Sequence, residues 1–232
     1  MNKYRIRRVI GLLVVALLGW FVATMDATPQ ATPPADTKRV ELPAGEAGSA
    51  VRVLNELAVK GRAPKTGYTR DQFGDGWASQ QGCDTRNVIL HRDLTEVEVD
   101  EQCRVTAGIL QDPYTGKTIH FQRGEATSPL VQIDHVVALS DAWQKGAQQL
   151  SPERRVAFSN DPLNLLAVDG ETNQEKSDSD AATWLPPNKE FRCQYVARQV
   201  AVKKTYALWV TAAEKDAMAR VLLACPDEPL PY

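Results

Sequence analysis

Residues 131–143 read "VQIDHVVALSDAW". Val131, Ile133, Val136 and Val137 have the β-branched, apolar character of a buried strand, yet the ionisable pair Asp134-His135 stands in their midst. Burying a charge costs free energy unless a partner compensates it, and in a regular strand the two side chains project to opposite faces. The run therefore predicts either a strand end at the surface or a functional site. The chain contains 3 histidines, so few others compete for a catalytic imidazole.

Downstream, "LSDAWQKGAQQL" has helical spacing at Leu139, Trp143 and Ala147, with Asp141 read as a packing and capping residue. "SPERRVAF" opens with Ser151-Pro152-Glu153, a favourable helix start. "LNLLAV" (163–168) predicts a short strand, Asp169-Gly170 a turn, and "ETNQEKSDSDAATW" a polar helix. Two amphipathic helices follow, over 188–210 and 211–225, the second opened by a Thr211-x-x-Glu214 capping box. Upstream, residues 104–121 predict a hairpin around the turn "DPYTGK", and "NVILHRDL" (87–94) a strand. Residues 64–87 predict an ordered loop clamped by Cys83, and 47–61 a helix stopped by Gly61. Strands and helices in this mixture predict an α+β fold.

At the N-terminus, Lys3, Arg5, Arg7 and Arg8 precede the uncharged apolar run "VIGLLVVALLGWFVATM". This is the pattern of a secretory signal, and the run also approaches the length of an uncleaved membrane anchor. Residues 1–26 are read as that signal or anchor, 27–45 as a Pro/Ala/Thr-rich disordered linker, and 46–232 as one folded domain. A secreted or cell-surface, monomeric protein is expected. Four of the 27 Lys and Arg and one of the 29 Asp and Glu lie in residues 1–26, so the remainder carries a formal −5. Net charge thus gives no help to a nucleic-acid partner, and any basic patch is local. Cys83, Cys103, Cys193 and Cys225 all lie in the exported part, and an even count there reads as two disulfides. Three connectivities are open; Cys83–Cys103 and Cys193–Cys225 are favoured because they close the shorter loops.

Three pieces now stand in order: Asp134-His135 on a strand, Asn164 on the next, and Asn173 with Lys176 on the following helix. The stretches "IDHVVAL", "NDPLNLLAV", "NQEKSDSD" and "WLPP" (184–187) resemble the HNH, or ββα-metal, endonuclease family. The similarity is to its secreted actinobacterial-type branch, related to the C-terminal domain of modification-dependent restriction enzymes. "FGDGWASQQGCDTRNVILHRDL" and "DPYTGKTIHF" also resemble the N-terminal half of that secreted group. The resemblance spans residues 65 to 225 and implies a ββα-metal core with an N-terminal β-hairpin extension and C-terminal helices.

It also implies a metal-dependent hydrolysis of nucleic acid, DNA favoured over RNA. Such hydrolysis needs an activated water, a Lewis acid and stabilisation of the leaving oxygen. His135 suits the general base, since an unperturbed imidazole titrates near neutrality. Asp134 and Asn173 offer a carboxylate and an amide oxygen to a hard cation. By resemblance, Asn164 orients the imidazole or braces the loop that holds it, and Lys176 meets a phosphate oxygen; Arg86 and Arg92 are candidate substrate contacts. Many relatives carry histidines where this chain has Asn173 and Ser177, so Mg²⁺ or Mn²⁺ is expected over Zn²⁺. The alternative is a catalytically inactive nucleic-acid-binding or scaffold module on the same fold.

Overall fold

A computed structural model describes residues 40–231 except 41, 44 and 81. The expected export segment and nearly all of the linker lie outside the described residues. Val40 and Leu42, within the stretch read as linker, pack against the apolar core.

The fold is α+β. Helix α1 (Ala50–Glu56) is capped by the Ser49 side chain. An irregular stretch follows, with a 3-10 turn over Arg70–Phe73 and the two-residue strands β1 (Ser79–Gln80) and β2 (Cys83–Asp84). Helix α2 (Thr85–Asp93) leads into the three-stranded antiparallel sheet of β3 (Leu94–Val99), β4 (Val105–Gln111) and β5 (Thr118–Gln122), with β4 central. The hairpin read over 104–121 is β4 with β5.

Of residues 87–94, expected to form a strand from their Val-Ile content, 87–93 are helical and only Leu94 begins a strand. The Asp84 carboxylate accepts from the Asn87 backbone N–H at 2.8 Å and caps the first turn. Ile89 and Leu90 are then buried while Val88 and His91 face solvent. A cap plus a one-sided apolar stripe outweighs weak β propensity.

Strand β6 (Val131–His135) pairs antiparallel with β7 (Leu165–Asp169), with His135 opposite Leu165 and Val131 opposite Asp169. Helix α5 (Gly170–Lys176) starts where β7 ends, because the Asp169 side chain accepts from Thr172 N–H. Asp169-Gly170 is thus a helix start rather than a free turn. A Cβ on residue 170 would stand 2.0 Å from the Pro129 carbonyl oxygen, so only glycine fits there.

Between the paired strands lie α3 (Leu139–Gln144) and α4 (Pro152–Asn160). The helix expected over 139–150 breaks at Gly146, whose φ of 123° no helix tolerates and which packs on the Trp209 ring. Helices α6 (Arg192–Thr205) and α7 (Ala212–Leu222) close the domain, and the Thr211–Glu214 capping box forms in full. Disulfides join Cys83 to Cys103 and Cys193 to Cys225 across 20 and 32 residues. Loops of that size contribute about 3–4 kcal/mol each, largely by restricting the unfolded chain.

Candidate active site

The β6–β7 pair ends at His135 and Leu165, and the chain leaves β6 through Val136 and Val137. Asn164 fixes that exit. Its Oδ1 accepts from Val137 N–H at 2.9 Å, its Nδ2 donates to Val137 O at 3.3 Å, and its carbonyl accepts from Val136 N–H at 2.8 Å. The residue is fully buried and makes no hydrogen bond to the imidazole. Of the two roles that the resemblance implies for Asn164, the contacts are those of a brace for the backbone behind His135.

His135 is 8% exposed. Its Nε2 lies 2.8 Å from the carbonyl oxygen of Ser159, in the last turn of α4. Carbonyls in a helix's last turn lack intrahelical partners, so this one is available to accept. A carbonyl can only accept; Nε2 therefore carries the proton and Nδ1 the lone pair in the neutral ring. Nδ1 makes no hydrogen bond among the described residues. The Trp77 ring stacks on the imidazole, centroids 5.7 Å apart and 12° from parallel. Burial pushes the imidazole's pKa down to about 4, against the hydrogen bond to Ser159; the positive charges of Arg70 and Lys176 push the same way as burial. The ring is neutral at pH 7 and keeps its Nδ1 lone pair.

Asp134 is buried beside it, and its carboxylate takes a hydrogen bond from the Tyr114 hydroxyl and an ion pair with Lys176 Nζ at 2.8 Å. Burial raises the pKa of this carboxyl, and Lys176 and the Tyr114 hydroxyl oppose that rise. Lys176 also donates to His135 O at 2.9 Å and is fully buried. It is therefore out of reach of a phosphate oxygen: the expected phosphate contact is the counter-ion of Asp134. Asn173 donates through Nδ2 to Gln132 Oε1 at 2.9 Å, which leaves its Oδ1 without a hydrogen bond among the described residues.

Asp134, His135, Gln132 and Asn173 line one cleft of about 780 Å³. The local bend that both Asp134 and His135 need to reach one cleft falls where β6 gives way to the Asn164-braced turn. A second cleft of about 460 Å³ lies on the other side, and His135, Arg70 and Leu139 border both. Asp134 and Asn173, which line the larger cleft, carry hard oxygen donors, although both Asp134 oxygens already accept from Tyr114 and Lys176. That set fits a hard divalent cation, held weakly because Lys176 already matches the one carboxylate charge.

Arg86 and Arg92 border neither cleft. Arg86 donates to Val131 O at 3.0 Å. Arg92 pairs with Asp93 at 2.6 Å and donates to Pro162 O at 2.7 Å and Leu165 O at 2.6 Å, so it ties α2 to β7. Sequence reading missed Tyr114, taken as part of a turn, and Trp77, which lies in the stretch read as an ordered loop. It also missed Ser159, which acts through its backbone and leaves no side-chain signal.

The model of the C-terminal domain of GmrSD restriction endonucleases matches residues 84–221. A relative from Arthroderma benhamiae, described as an uncharacterized secreted protein, is 39% identical over 209 residues, which is 88% of this chain and 98% of the relative. No solved structure matches the chain significantly. Strand β6 with Asp134 and His135, the 3-10 turn Pro162–Asn164 (where the sequence reading put Asn164 on a strand) and helix α5 with Asn173 all fall inside the matched span, and this chain belongs to the family of GmrSD restriction endonuclease C-terminal domains.

Proposed function

We propose that the protein is an exported, divalent-metal-dependent endonuclease of the HNH type, acting on DNA in preference to RNA. The observation that carries this reading is the polarity of His135. Its Nε2–H is committed to Ser159 O, its Nδ1 is left unprotonated, and the residue borders the cleft that Asp134 and Asn173 line. The β6–β7 pair followed directly by α5 supports a ββα-metal core, with β3–β5 as the N-terminal extension and α6–α7 as the C-terminal helices.

In this mechanism the chain's own groups act as follows. The Ser159 carbonyl and the Trp77 face hold the imidazole in one tautomer and one plane. Nδ1 takes a proton from the attacking water as its oxygen bonds to phosphorus and the leaving oxygen departs. Asn164 keeps the backbone behind His135 in place. Mg²⁺ or Mn²⁺, held by Asp134 and Asn173, would acidify the water and neutralise charge on the phosphate. A base whose conjugate acid is as strong as that of His135 needs such an acidified water.

Residues 1–26 as export signal or anchor, 27–45 as linker and 46–232 as the catalytic domain complete the reading, with a monomer secreted or held at the cell surface. Two disulfides are consistent with an oxidising compartment. Among the described residues no helix is long and apolar enough to cross a membrane.

One observation favours the inactive, nucleic-acid-binding alternative: the Asp134 charge is already matched by Lys176. A plasmid-nicking assay with a divalent-metal panel separates the two. Nicking with Mg²⁺ or Mn²⁺ that falls about 10²–10⁴-fold in His135→Ala is expected. No nicking with any ion, or full activity in that variant, refutes the nuclease.

A further inference from the structure

A diester at His135 needs a cation for its charge, and the expected ones are committed elsewhere. Lys176 is buried on Asp134, Arg86 is bonded to Val131 O, and Arg92 is tied to Asp93 and β7. Two cations border the clefts. Lys65 pairs with Asp178 at 3.1 Å and sits 5.2 Å over the Tyr68 ring. Arg70 is exposed, borders both clefts together with His135, and makes no ion pair or hydrogen bond among the described residues.

The backbone that carries Arg70 is pinned to α4. Ser159 Oγ donates to Phe73 O at 2.7 Å, Arg155 Nε donates to Gln72 O at 2.8 Å, and Asn160 Oδ1 accepts from Ala78 N–H at 2.8 Å. The guanidinium therefore stands on a fixed wall, which limits the entropy lost when it binds. The smaller cleft behind it is lined by Phe73, Gly74, Asp75, Gly76 and Trp77, with Asp71 at its border. Its two carboxylates against one guanidinium disfavour a second phosphate there. They suit a neutral aromatic group that carries amino or hydroxyl donors, as a nucleoside does.

We propose that the segment 70–77 forms a nucleotide subsite beside His135, in which Arg70 binds the scissile phosphate and the cleft behind it takes the nucleoside on one side of that phosphate. The proposal rests on the phosphodiesterase reading above. The segment precedes the family-matched span 84–221, so the match assigns it nothing.

The test uses the full chain with Mn²⁺ and three chromogenic diesters: bis(p-nitrophenyl) phosphate, which lacks a nucleoside, and the 3′- and 5′-(p-nitrophenyl phosphates) of thymidine. One thymidine isomer is expected to be turned over at least about tenfold better in kcat/KM than the nucleoside-free diester. Arg70→Ala is expected to lower kcat/KM about 10- to 100-fold on all three, with partial recovery in Arg70→Lys. Lys117→Ala removes the same charge away from both clefts and serves as the control. Binding of a short oligothymidylate without added metal gives a readout free of turnover, and Arg70→Ala should weaken it and cut its log–log salt slope by about 1. Equal turnover of all three diesters overturns the nucleoside cleft, and unchanged turnover and binding in Arg70→Ala overturn the phosphate contact. No turnover of any diester by the wild-type chain overturns the phosphodiesterase reading and the subsite with it.

Discussion

Two buried charged regions of this molecule differ in what they leave unfinished. Between α3, α6 and α7 lies a set of three cations and three carboxylates, all buried except Arg62, which closes it from the surface. Lys145 Nζ sits 2.7 Å from Asp141, 2.7 Å from Asp180 and 2.6 Å from Glu214. Lys203 pairs with Glu214 at 3.0 Å and Asp141 at 3.4 Å, and Arg62 reaches Asp180 at 2.7 Å and Asp141 at 3.2 Å. Formal charges cancel, and each acid meets at least two cations. Burial alone would lower the Lys203 pKa, yet the Glu214 and Asp141 charges outweigh it and hold it above its usual value. The cleft region also buries a pair, Asp134 with Lys176. There, however, His135 Nδ1 and Asn173 Oδ1 have no hydrogen-bond partner among the described residues, and both residues line a cavity. Closed networks hold helices together; atoms left unpaired at a cavity wall are free to meet a ligand.

The contrast can be broken most directly in the network. Glu214→Ala leaves three cations against two carboxylates, with Lys203 held only by the 3.4 Å contact to Asp141 among the described residues, and removes the α7 capping box; it should cost about 3–5 kcal/mol in denaturant unfolding. Its kcat per folded molecule should stay at the wild-type value. A loss of less than about 1 kcal/mol would mean that water reaches the network.

At the cleft, Lys176→Met removes the only cation that pairs with Asp134 among the described residues, and about 3 kcal/mol of destabilisation is expected. Added Mn²⁺ should then raise Tm more in the variant than in the wild type, because the ion replaces the lost charge. Equal Mn²⁺ shifts would place the ion away from Asp134.

The His135 imidazole sharpens the comparison by pH. Its folded pKa, about 4, lies below the unfolded value near 6.5. Below 6.5 the unfolded chain takes up a proton that the folded chain refuses. This contribution to stability is therefore complete above about pH 6.5 and is lost as pH falls toward 4. Activity follows the folded value: kcat/KM at pH 5 should stay within about twofold of that at pH 7, where an unshifted histidine would lose more than tenfold. An acid limb near 6.5 would contradict the buried, neutral imidazole.

The smallest effect is expected at Asn164. Asn164→Ala leaves the buried Val137 N–H unpaired and should cost about 1–3 kcal/mol, with kcat falling more than KM rises. Unchanged kcat in a destabilised variant would make Asn164 structural only.

Much of the frame was legible beforehand because it rests on local signals. Val131–His135, the 104–121 hairpin and the Thr211–Glu214 capping box are written in alternation, turn residues and short-range side-chain bonds. Residues 87–93 misled because two β-branched residues, Val88 and Ile89, spoke louder than a single capping Asp84. The break at Gly146 was invisible because its cause, the Trp209 ring, lies far along the chain.

The sequence by itself determined which groups are available: one Asp-His pair, an Asn-bearing helix, and cysteines in even number. Which of them carry spare bonding capacity was settled only by tertiary structure. Lys176 changed from a phosphate contact to a counter-ion because α5 drops it beside Asp134. The imidazole gained its tautomer from Ser159 O, a backbone atom that every residue type shares. Hydrogen-bond partners that are distant in sequence, and partners made of backbone, leave no trace in residue spacing; they exist only once the chain has packed.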